Sequence, residues 1–289
     1  MRLLARSDRL RGREAPDGLH IECGCGEHFI WERRLGEAVT CPSCKAVEPI
    51  AQPKGRTVKP LIIMVGADKG GVGKTTVSRA VAEYLAKSNI QFRAIDTEIP
   101  KGVFKRFVPS AEVRDMDDIG DQMAVFDKLS PITLIDVKAG MLSHLVRTLD
   151  KARLLDEVKQ DAVALVLLHV LGPTRESLGE APTTRAAIGG GSLHFLVKNY
   201  ISENEGYFGW ANDPELGPVL ESLASTTIAV PHLEGRAAED VDLKNQLFGL
   251  YGMKGESRML RGEVWAWIQR VWAEFDRIGL GKLAGEAAA

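Results

Sequence analysis

Short, mainly apolar runs alternate with amphipathic stretches along most of the chain. The runs lie at residues 61–65, 92–96, 132–136, 162–170, 193–199 and 226–230. A parallel strand covered on both faces is apolar throughout, whereas a surface helix repeats its apolar positions about every 3.6 residues. The alternation predicts an α/β fold with a doubly wound, mostly parallel sheet.

Changes in composition divide the chain into five segments. Residues 1–17 are rich in arginine and predict a flexible tail, and residues 51–59 carry Pro, Gly and charge, as linkers do. Residues 18–50 contain all four cysteines and predict a small separate module. The α/β domain is predicted over residues 60–281, and residues 282–289 are expected to be frayed.

Overall composition and charge exclude few classes of function. The 289 residues are 45% hydrophobic, and the net charge of −2 gives no general argument for nucleic acid or anionic lipid. No apolar run approaches the roughly 20 residues of a spanning helix, so we expect no stable membrane insertion. Without a recognisable export signal, the expected location is the cytoplasm.

A glycine-rich segment follows the first strand and precedes an amphipathic helix that ends near Lys87. Its sequence is KGGVGKTT, residues 69–76. Glycines let main-chain N–H groups approach phosphate oxygens, and the helix directs its positive end at the same anion. The residues expected to bind nucleotide here are Gly70, Gly71, Val72, Gly73, Lys74, Thr75 and Thr76. Lys74 would neutralise phosphate charge and the Thr75 hydroxyl would bind Mg²⁺.

The strict Walker pattern has glycine where this chain has Asp68, and the next residue is a lysine. The string KGGVGKTT resembles the deviant Walker A motif of the ParA/MinD family of P-loop ATPases. This resemblance implies an ATP-dependent homodimer in which Lys69 reaches the partner's nucleotide. It covers roughly residues 60–235.

Acidic residues at the ends of two strands extend the resemblance. Asp96-Thr97-Glu98-Ile99-Pro100 stands where the family has D-x-D-P, which implies Asp96 near Mg²⁺ and Glu98 orienting the attacking water. Glu is one methylene longer than Asp, so we expect slow hydrolysis. Asp136 ends an apolar strand, as a Walker B aspartate does, although it also fits a cap for the next helix. Gly140 would let the following loop move when γ-phosphate leaves.

Base recognition is expected at the ends of the later strands. The chain has no N-K-x-D string, which leaves a guanine-specific pocket unsupported. The resemblance implies that Asn199 meets the adenine edge and that Pro231 packs beside the base. Asn199 also suits a simple turn before Tyr200.

The cysteines are Cys23 and Cys25, then Cys41 and Cys44 after fifteen intervening residues. This spacing resembles a zinc ribbon over residues 18–50, in which four thiolates hold structural Zn²⁺. An iron–sulfur cluster is the alternative, and it is disfavoured because related scaffolds add a second, C-terminal cysteine pair. His28 is expected at the surface rather than as a ligand.

The C-terminal stretch GEVWAWIQRVWAEFDRIGL has apolar residues at helical spacing. Because it lacks a cationic face, we expect it to dock on the sheet or to form a dimer surface rather than to bind membrane.

Three functions remain open from the sequence. The first is an ATPase switch that dimerises with ATP and positions, partitions or assembles a cargo, either DNA or a protein complex. Its zinc ribbon would recognise the cargo or an unidentified protein partner. The second is a metallocentre maturation ATPase. The third is a nucleotide-binding adaptor that does not hydrolyse ATP.

Overall fold

The computed structural model divides into two compact units, residues 1–58 and 59–289. The structure describes residues 3–6, 10–15, 18–31, 38–45, 47–49, 59–203, 208–209, 218, 223 and 226–288. The predicted linker, residues 51–59, lies outside these ranges except for Lys59.

The first unit is made of antiparallel strands. Four of them form one sheet in the order β1-β2-β3-β4: β1 (Leu3–Arg6), β2 (Leu10–Ala15), β3 (Gly18–Cys23) and β4 (His28–Trp31). A second sheet pairs β5 (Ala38–Thr40) with β6 (Val47–Pro49). The prediction of a flexible tail over residues 1–17 is therefore wrong for β1 and β2. Strand β2 pairs with β3 from Leu10↔Cys23 to Ala15↔Gly18, so its backbone bonds are made within a sheet.

In the described residues, the second unit contains one parallel sheet of seven strands. Six of them lie at the predicted apolar runs, and the short strand Glu112–Val113 was not predicted. Its strands, in chain order, are β7 (Leu61–Gly66), β8 (Arg93–Asp96), β9 (Glu112–Val113), β10 (Ile132–Asp136), β11 (Ala164–Leu171), β12 (Leu193–Asn199) and β13 (Thr226–Val230). The spatial order is β13-β12-β11-β7-β10-β8-β9. Chain order reverses on either side of β7, which is the topological switch point where such sheets bind ligands.

Helices cover both faces of this sheet. In the described residues they are α1 (Lys74–Lys87), α2 (Ile119–Phe126), α3 (Leu142–Lys151), α4 (Leu154–Lys159), α5 (Glu176–Gly179), α6 (Ala181–Ile188), α7 (Gly235–Leu243), α8 (Phe248–Lys254), α9 (Arg258–Arg277) and α10 (Leu280–Ala288). Each face has its own apolar core, because alternate strand residues face opposite sides: Ile63 packs with α1 and α9, and Ile62 packs with α3 and α4. A smaller third cluster in the described residues includes Leu171 and Leu196.

Helix α9 docks on the sheet, which was one of the two expectations for this stretch. Trp267 and Phe275 are fully buried within the first core, and the Trp267 indole Nε1 donates to the Pro231 carbonyl at 2.6 Å. Of the helices that the structure describes, none is long and apolar enough to cross a membrane.

The expectation that residues 282–289 are frayed is wrong for residues 282–288, which the structure describes. Helix α10 runs to Ala288 and buries Leu280, Ala284 and Ala287. A Cβ added at Gly281 would lie 2.5 Å from the Tyr84 hydroxyl, so glycine permits a close approach to α1.

Candidate functional site

The candidate residues converge because parallel strands end at one edge of the sheet. In the strand register Asp136 lies opposite both Val65 of β7 and Asp96 of β8. Asn199, on β12, ends the other half of the sheet. Carboxyl ends of adjacent parallel strands form the usual ligand-binding edge of open α/β sheets.

The phosphate loop turns sharply into α1. Gly73 precedes the helix with φ 83°, a left-handed conformation that side chains resist. A Cβ at this position would lie 2.1 Å from Asn199 Nδ2, so the space is closed to any other residue. No side chain caps α1 and its first turn carries no acidic residue. Its free N–H groups and positive end suit a bound phosphate.

Two lysines flank this loop in different surroundings. Lys74 is buried, and burial lowers the pKa of its amine. Its Nζ donates to the Lys69 carbonyl at 2.8 Å, which holds the amine over the loop. Lys69 itself is exposed.

Asp136 is the buried centre of the site. Its two carboxylate oxygens accept hydrogen bonds from the hydroxyls of Thr75, at 2.8 Å, and Ser78, at 2.6 Å. Complete burial raises the pKa of Asp136 to about 7, and the two hydroxyls oppose that rise. A carboxylate beside a threonine hydroxyl is a set of hard oxygen donors, which fits Mg²⁺.

The loop after β8 is held by its own acidic and hydroxyl groups. Asp96 is fully buried, and its carboxylate accepts the N–H groups of Glu98 and Lys105, each at 2.9 Å. Thr97 Oγ1 donates to the Asp136 carbonyl at 3.0 Å and accepts the Lys138 N–H at 2.7 Å. These bonds fix the loop carrying Glu98 against the end of β10.

A cavity of about 440 Å³ adjoins the phosphate loop on the β12–β13 side. It is lined by Thr76, Arg79, Asn199, Tyr200, Ile201, Pro231, His232, Leu233, Ala238, Glu239, Asp242, Phe248 and Trp267. Asn199 Nδ2 already donates to the Val72 carbonyl at 2.8 Å. Asn199 and Pro231, the two residues expected from the sequence to contact a base, both line this cavity.

One wall of the cavity is a cation between two aromatic rings. The Arg79 guanidinium carbon lies 3.5 Å from the Phe107 ring centroid and 4.0 Å from that of Phe248. Burial lowers the pKa of Arg79 to about 10. The stack joins α1, the loop after β8 and α8, so the cavity wall is rigid.

Sequence reasoning missed Ser78, Thr97 and Arg79. Ser78 lies three residues after Thr75 on α1 and therefore on the same helical face, a spacing visible in the sequence. Thr97 lies between two acidic residues, and the resembled motif gives a role to those two residues but not to the one between them. The position of Arg79 depends on Phe248, which is distant in sequence, so no local signal identifies it.

The four cysteines of the first unit form a second candidate site. Cys23 Sγ lies 3.5 Å from Cys44 Sγ, Cys25 Sγ lies 3.7 Å from Cys41 Sγ, and all four sulfurs are within 4.8 Å of one another. A tetrahedron with metal–sulfur bonds of about 2.3 Å has sulfur–sulfur edges of about 3.8 Å, so the cluster matches the size of a zinc site.

Two thiols of the cluster shift in opposite directions. The Cys25 N–H favours the Cys23 thiolate, but burial and hydrogen bonds with the neighbouring thiols raise the pKa of Cys23 to about 12. The N–H groups of Cys44 and Ser43 lower the pKa of the Cys41 thiol to about 7 against its burial. Glycine at position 26 takes φ 92°, and its N–H donates to the Cys23 carbonyl at 2.9 Å, closing the first turn. His28 is exposed and not part of the cluster, as expected.

The parallel sheet, the glycine-rich turn into α1 and the aspartate at the end of β10 together define a P-loop nucleoside-triphosphatase fold, with a small cysteine-bearing β unit before it. The chain matches no protein-family profile. It is similar to Protein MobD of Acidithiobacillus ferrooxidans, at 25% identity over 190 residues, covering 62% of this chain and 81% of that protein.

Solved structures with a similar fold are of MinD and ParA type. One is the septum site-determining protein MinD of Pyrococcus horikoshii with Mg-ADP, at 14% identity and a TM-score of 0.47, covering 76% of this chain and 97% of that chain. Another is a putative plasmid partition protein of Borrelia burgdorferi bound to AMPPNP, at 14% identity and a TM-score of 0.45, covering 78% and 100%.

Proposed function

We propose that this protein is an ATP-dependent dimerisation switch of the ParA/MinD type that hydrolyses ATP slowly. The observation that carries the proposal is the buried contact of Thr75 with Asp136 beneath an uncapped glycine-lined helix terminus. This arrangement combines an anion site with oxygen ligands for a divalent cation.

Each residue of the site has a role in this proposal. The N–H groups of Gly70, Gly71, Val72 and Gly73, with the Lys74 amine, hold the phosphates, and Thr76 faces the α-phosphate. Thr75, Asp96 and Asp136 are the residues that would hold Mg²⁺, which neutralises charge developing on the phosphates when bound. Asp96 acts through its bonds to the Glu98 loop as well.

Hydrolysis requires a group that orients water towards the γ-phosphate. Glu98 follows the buried Thr97 and is half-exposed. Its negative charge lies close enough to Lys74 to oppose the lowering of that lysine's pKa by burial. We assign it the water-orienting role. Its longer side chain places the carboxylate less well than an aspartate would, so turnover is slow.

Adenine binds in the cavity beside Asn199 and Pro231. The cavity is wide enough for a purine and is walled by the Arg79–Phe248 stack on one side. Lys69, exposed at the mouth of the phosphate loop, reaches the nucleotide of the second subunit. Contacts made only with γ-phosphate shift the population towards the dimer, which is the requirement for a switch.

The four cysteines hold Zn²⁺, and the unit around them recognises the cargo or an unidentified protein partner. Four free thiols in one cluster suit the reducing cytoplasm, where cysteine clusters bind metal more often than they form disulfides. The cargo is DNA or a protein complex.

Light scattering after size exclusion tests the switch. With Mg²⁺ and AMPPNP the wild type should double its mass, and with ADP it should remain a monomer. The Lys69→Ala variant should bind AMPPNP yet stay monomeric, whereas Lys151→Ala, which removes an exposed lysine from α3, should dimerise normally. A wild-type monomer with both nucleotides contradicts the proposal.

A further inference from the structure

Asp68 occupies the first position of the phosphate loop, and all of its polar groups are bonded to other segments. Its N–H donates to both carboxylate oxygens of Glu180, at 3.1 and 3.0 Å. Its carbonyl accepts the Gly140 N–H at 2.9 Å. Its carboxylate accepts the N–H of Ser143, at 3.3 Å, and the Ser143 hydroxyl. Glycine, the residue of the strict motif, would make only the two main-chain bonds.

The carboxylate of Asp68 caps a helix in a distant part of the chain. Ser143 is the second residue of α3, and the N–H groups of a first turn have no partner within the helix. The residue preceding α3, Met141, supplies no side-chain cap. Asp68 therefore satisfies the end of α3 from the phosphate loop, and its negative charge suits the positive helix terminus.

The main chain of Asp68 is anchored on its other side to the sheet. Glu180, which accepts the Asp68 N–H, lies 3.3 Å from Nε2 of His169, a fully buried residue of β11. His169 Nδ1 in turn lies 3.3 Å from Nε2 of His194 on β12. Because buried histidines on β11 and β12 support Glu180, the start of the phosphate loop is held in place.

The segment between β10 and α3, residues 137–141, is held at two points. Thr97 accepts the Lys138 N–H from the loop that carries Glu98, and Asp68 accepts the Gly140 N–H from the phosphate loop. Gly140 has φ 77°, so this segment turns at a residue that tolerates other conformations readily. A displacement of the phosphate loop acts directly on this segment and on the first turn of α3.

We propose that Asp68 is a positioning residue that couples the state of the phosphate loop to the segment 137–141 and to the N-terminus of α3. This coupling rests on the proposed nucleotide binding. It makes α3, with Arg147 and Asp150 exposed on its outer face, the element through which the nucleotide state reaches the surface.

Hydrogen–deuterium exchange of the α3 amides, with ADP and with Mg²⁺ and AMPPNP, tests the coupling in the full chain. In the wild type, exchange in residues 142–146 should differ between the two nucleotides by about fivefold or more. In Asp68→Ala this difference should fall below about twofold, with each nucleotide supplied at a concentration that calorimetry shows to be saturating for that variant. A cap with a purely structural role would instead raise exchange equally in both nucleotide states, and that result would overturn the proposal.

Two further variants keep the test decisive. Asp68→Asn retains an acceptor without the charge and should lose part of the difference, so it replaces the alanine variant if that chain does not fold. Asp118 caps α2 in the same manner, through the Asp121 N–H at 2.9 Å, and Asp118→Asn should leave the α3 difference intact. A wild type that binds AMPPNP with no difference in α3 refutes the coupling alone, whereas a wild type that takes up no nucleotide refutes the proposed function as well.

Discussion

Replacing Thr97 by valine tests how the loop carrying Glu98 is attached to the sheet. Thr97 is 2% exposed, and its hydroxyl makes one bond as donor and one as acceptor. Valine has a similar shape but makes neither bond. The Asp136 carbonyl keeps the main-chain N–H of residue 97, at 3.1 Å, whereas the Lys138 N–H loses its acceptor.

The expected loss of stability follows from these bonds. The part-buried Lys138 N–H, left without an acceptor, costs about 1–3 kcal/mol, and the lost bond to the Asp136 carbonyl about 0.5–1.5 kcal/mol. The additional methyl group of valine returns about 0.8 kcal/mol through apolar burial. The net destabilisation is about 2 kcal/mol, which corresponds to a fall in Tm of about 4–8 °C for a unit of this size.

Urea unfolding followed by far-ultraviolet circular dichroism measures this change in the second unit, which contains every helix in the described part of the chain. Thr97→Ser is the matched control, because it keeps both hydroxyl bonds and loses one methyl group, at a cost of about 1 kcal/mol. If Thr97→Val proves as stable as Thr97→Ser, the hydroxyl bonds do not hold this loop and the reasoning fails.

Three further predictions concern the rest of the molecule. Burial depresses the pKa of His194 from 6.5 to about 3, so the unfolded chain takes up the proton first as pH falls below 6.5. Between pH 7 and pH 5 the free energy of unfolding of the wild type should therefore fall by about 2 kcal/mol more than that of His194→Gln. Equal falls in the two proteins would contradict the lowered pKa of His194 in the folded protein. Glu98→Asp should hydrolyse ATP several times faster than the wild type in a phosphate-release assay, since the shorter side chain matches the resembled motif, and unchanged turnover would remove Glu98 from the water-orienting role. Purified wild type should contain one zinc per chain by elemental analysis and Cys41→Ser less than about a tenth of that, whereas a brown protein rich in iron would favour a cluster instead.

The sheet was predictable because burial on both faces leaves an unmistakable pattern. LIIMV and ITLID are apolar from end to end, and both are central strands. The phosphate loop was equally predictable, since its glycines and lysine must occur at fixed spacing to bind phosphate. In both cases the physical requirement is local in sequence.

Features that depend on distant partners were not predictable. Strands β1 and β2 carry three arginines and have no apolar pattern of their own. They become strands because β1 pairs with β2 and β2 pairs with β3. The end of the chain is expected to fray because termini commonly do, yet α10 buries Ala284 and Ala287 against the rest of the second unit. In the sequence, Asp68 is only a departure from the strict Walker motif. Its contact with the N-terminus of α3 is evident only in the folded chain.

Isothermal calorimetry with Mg²⁺ and ATP tests the central claim most directly. The folded wild type should bind one ATP per chain, with GTP bound at least about tenfold more weakly because no guanine-reading motif is present. Lys74→Ala should lose measurable binding while retaining its circular dichroism spectrum. If folded wild type releases no heat with ATP and is not protected by it against thermal unfolding, the phosphate loop holds no nucleotide and the account is wrong.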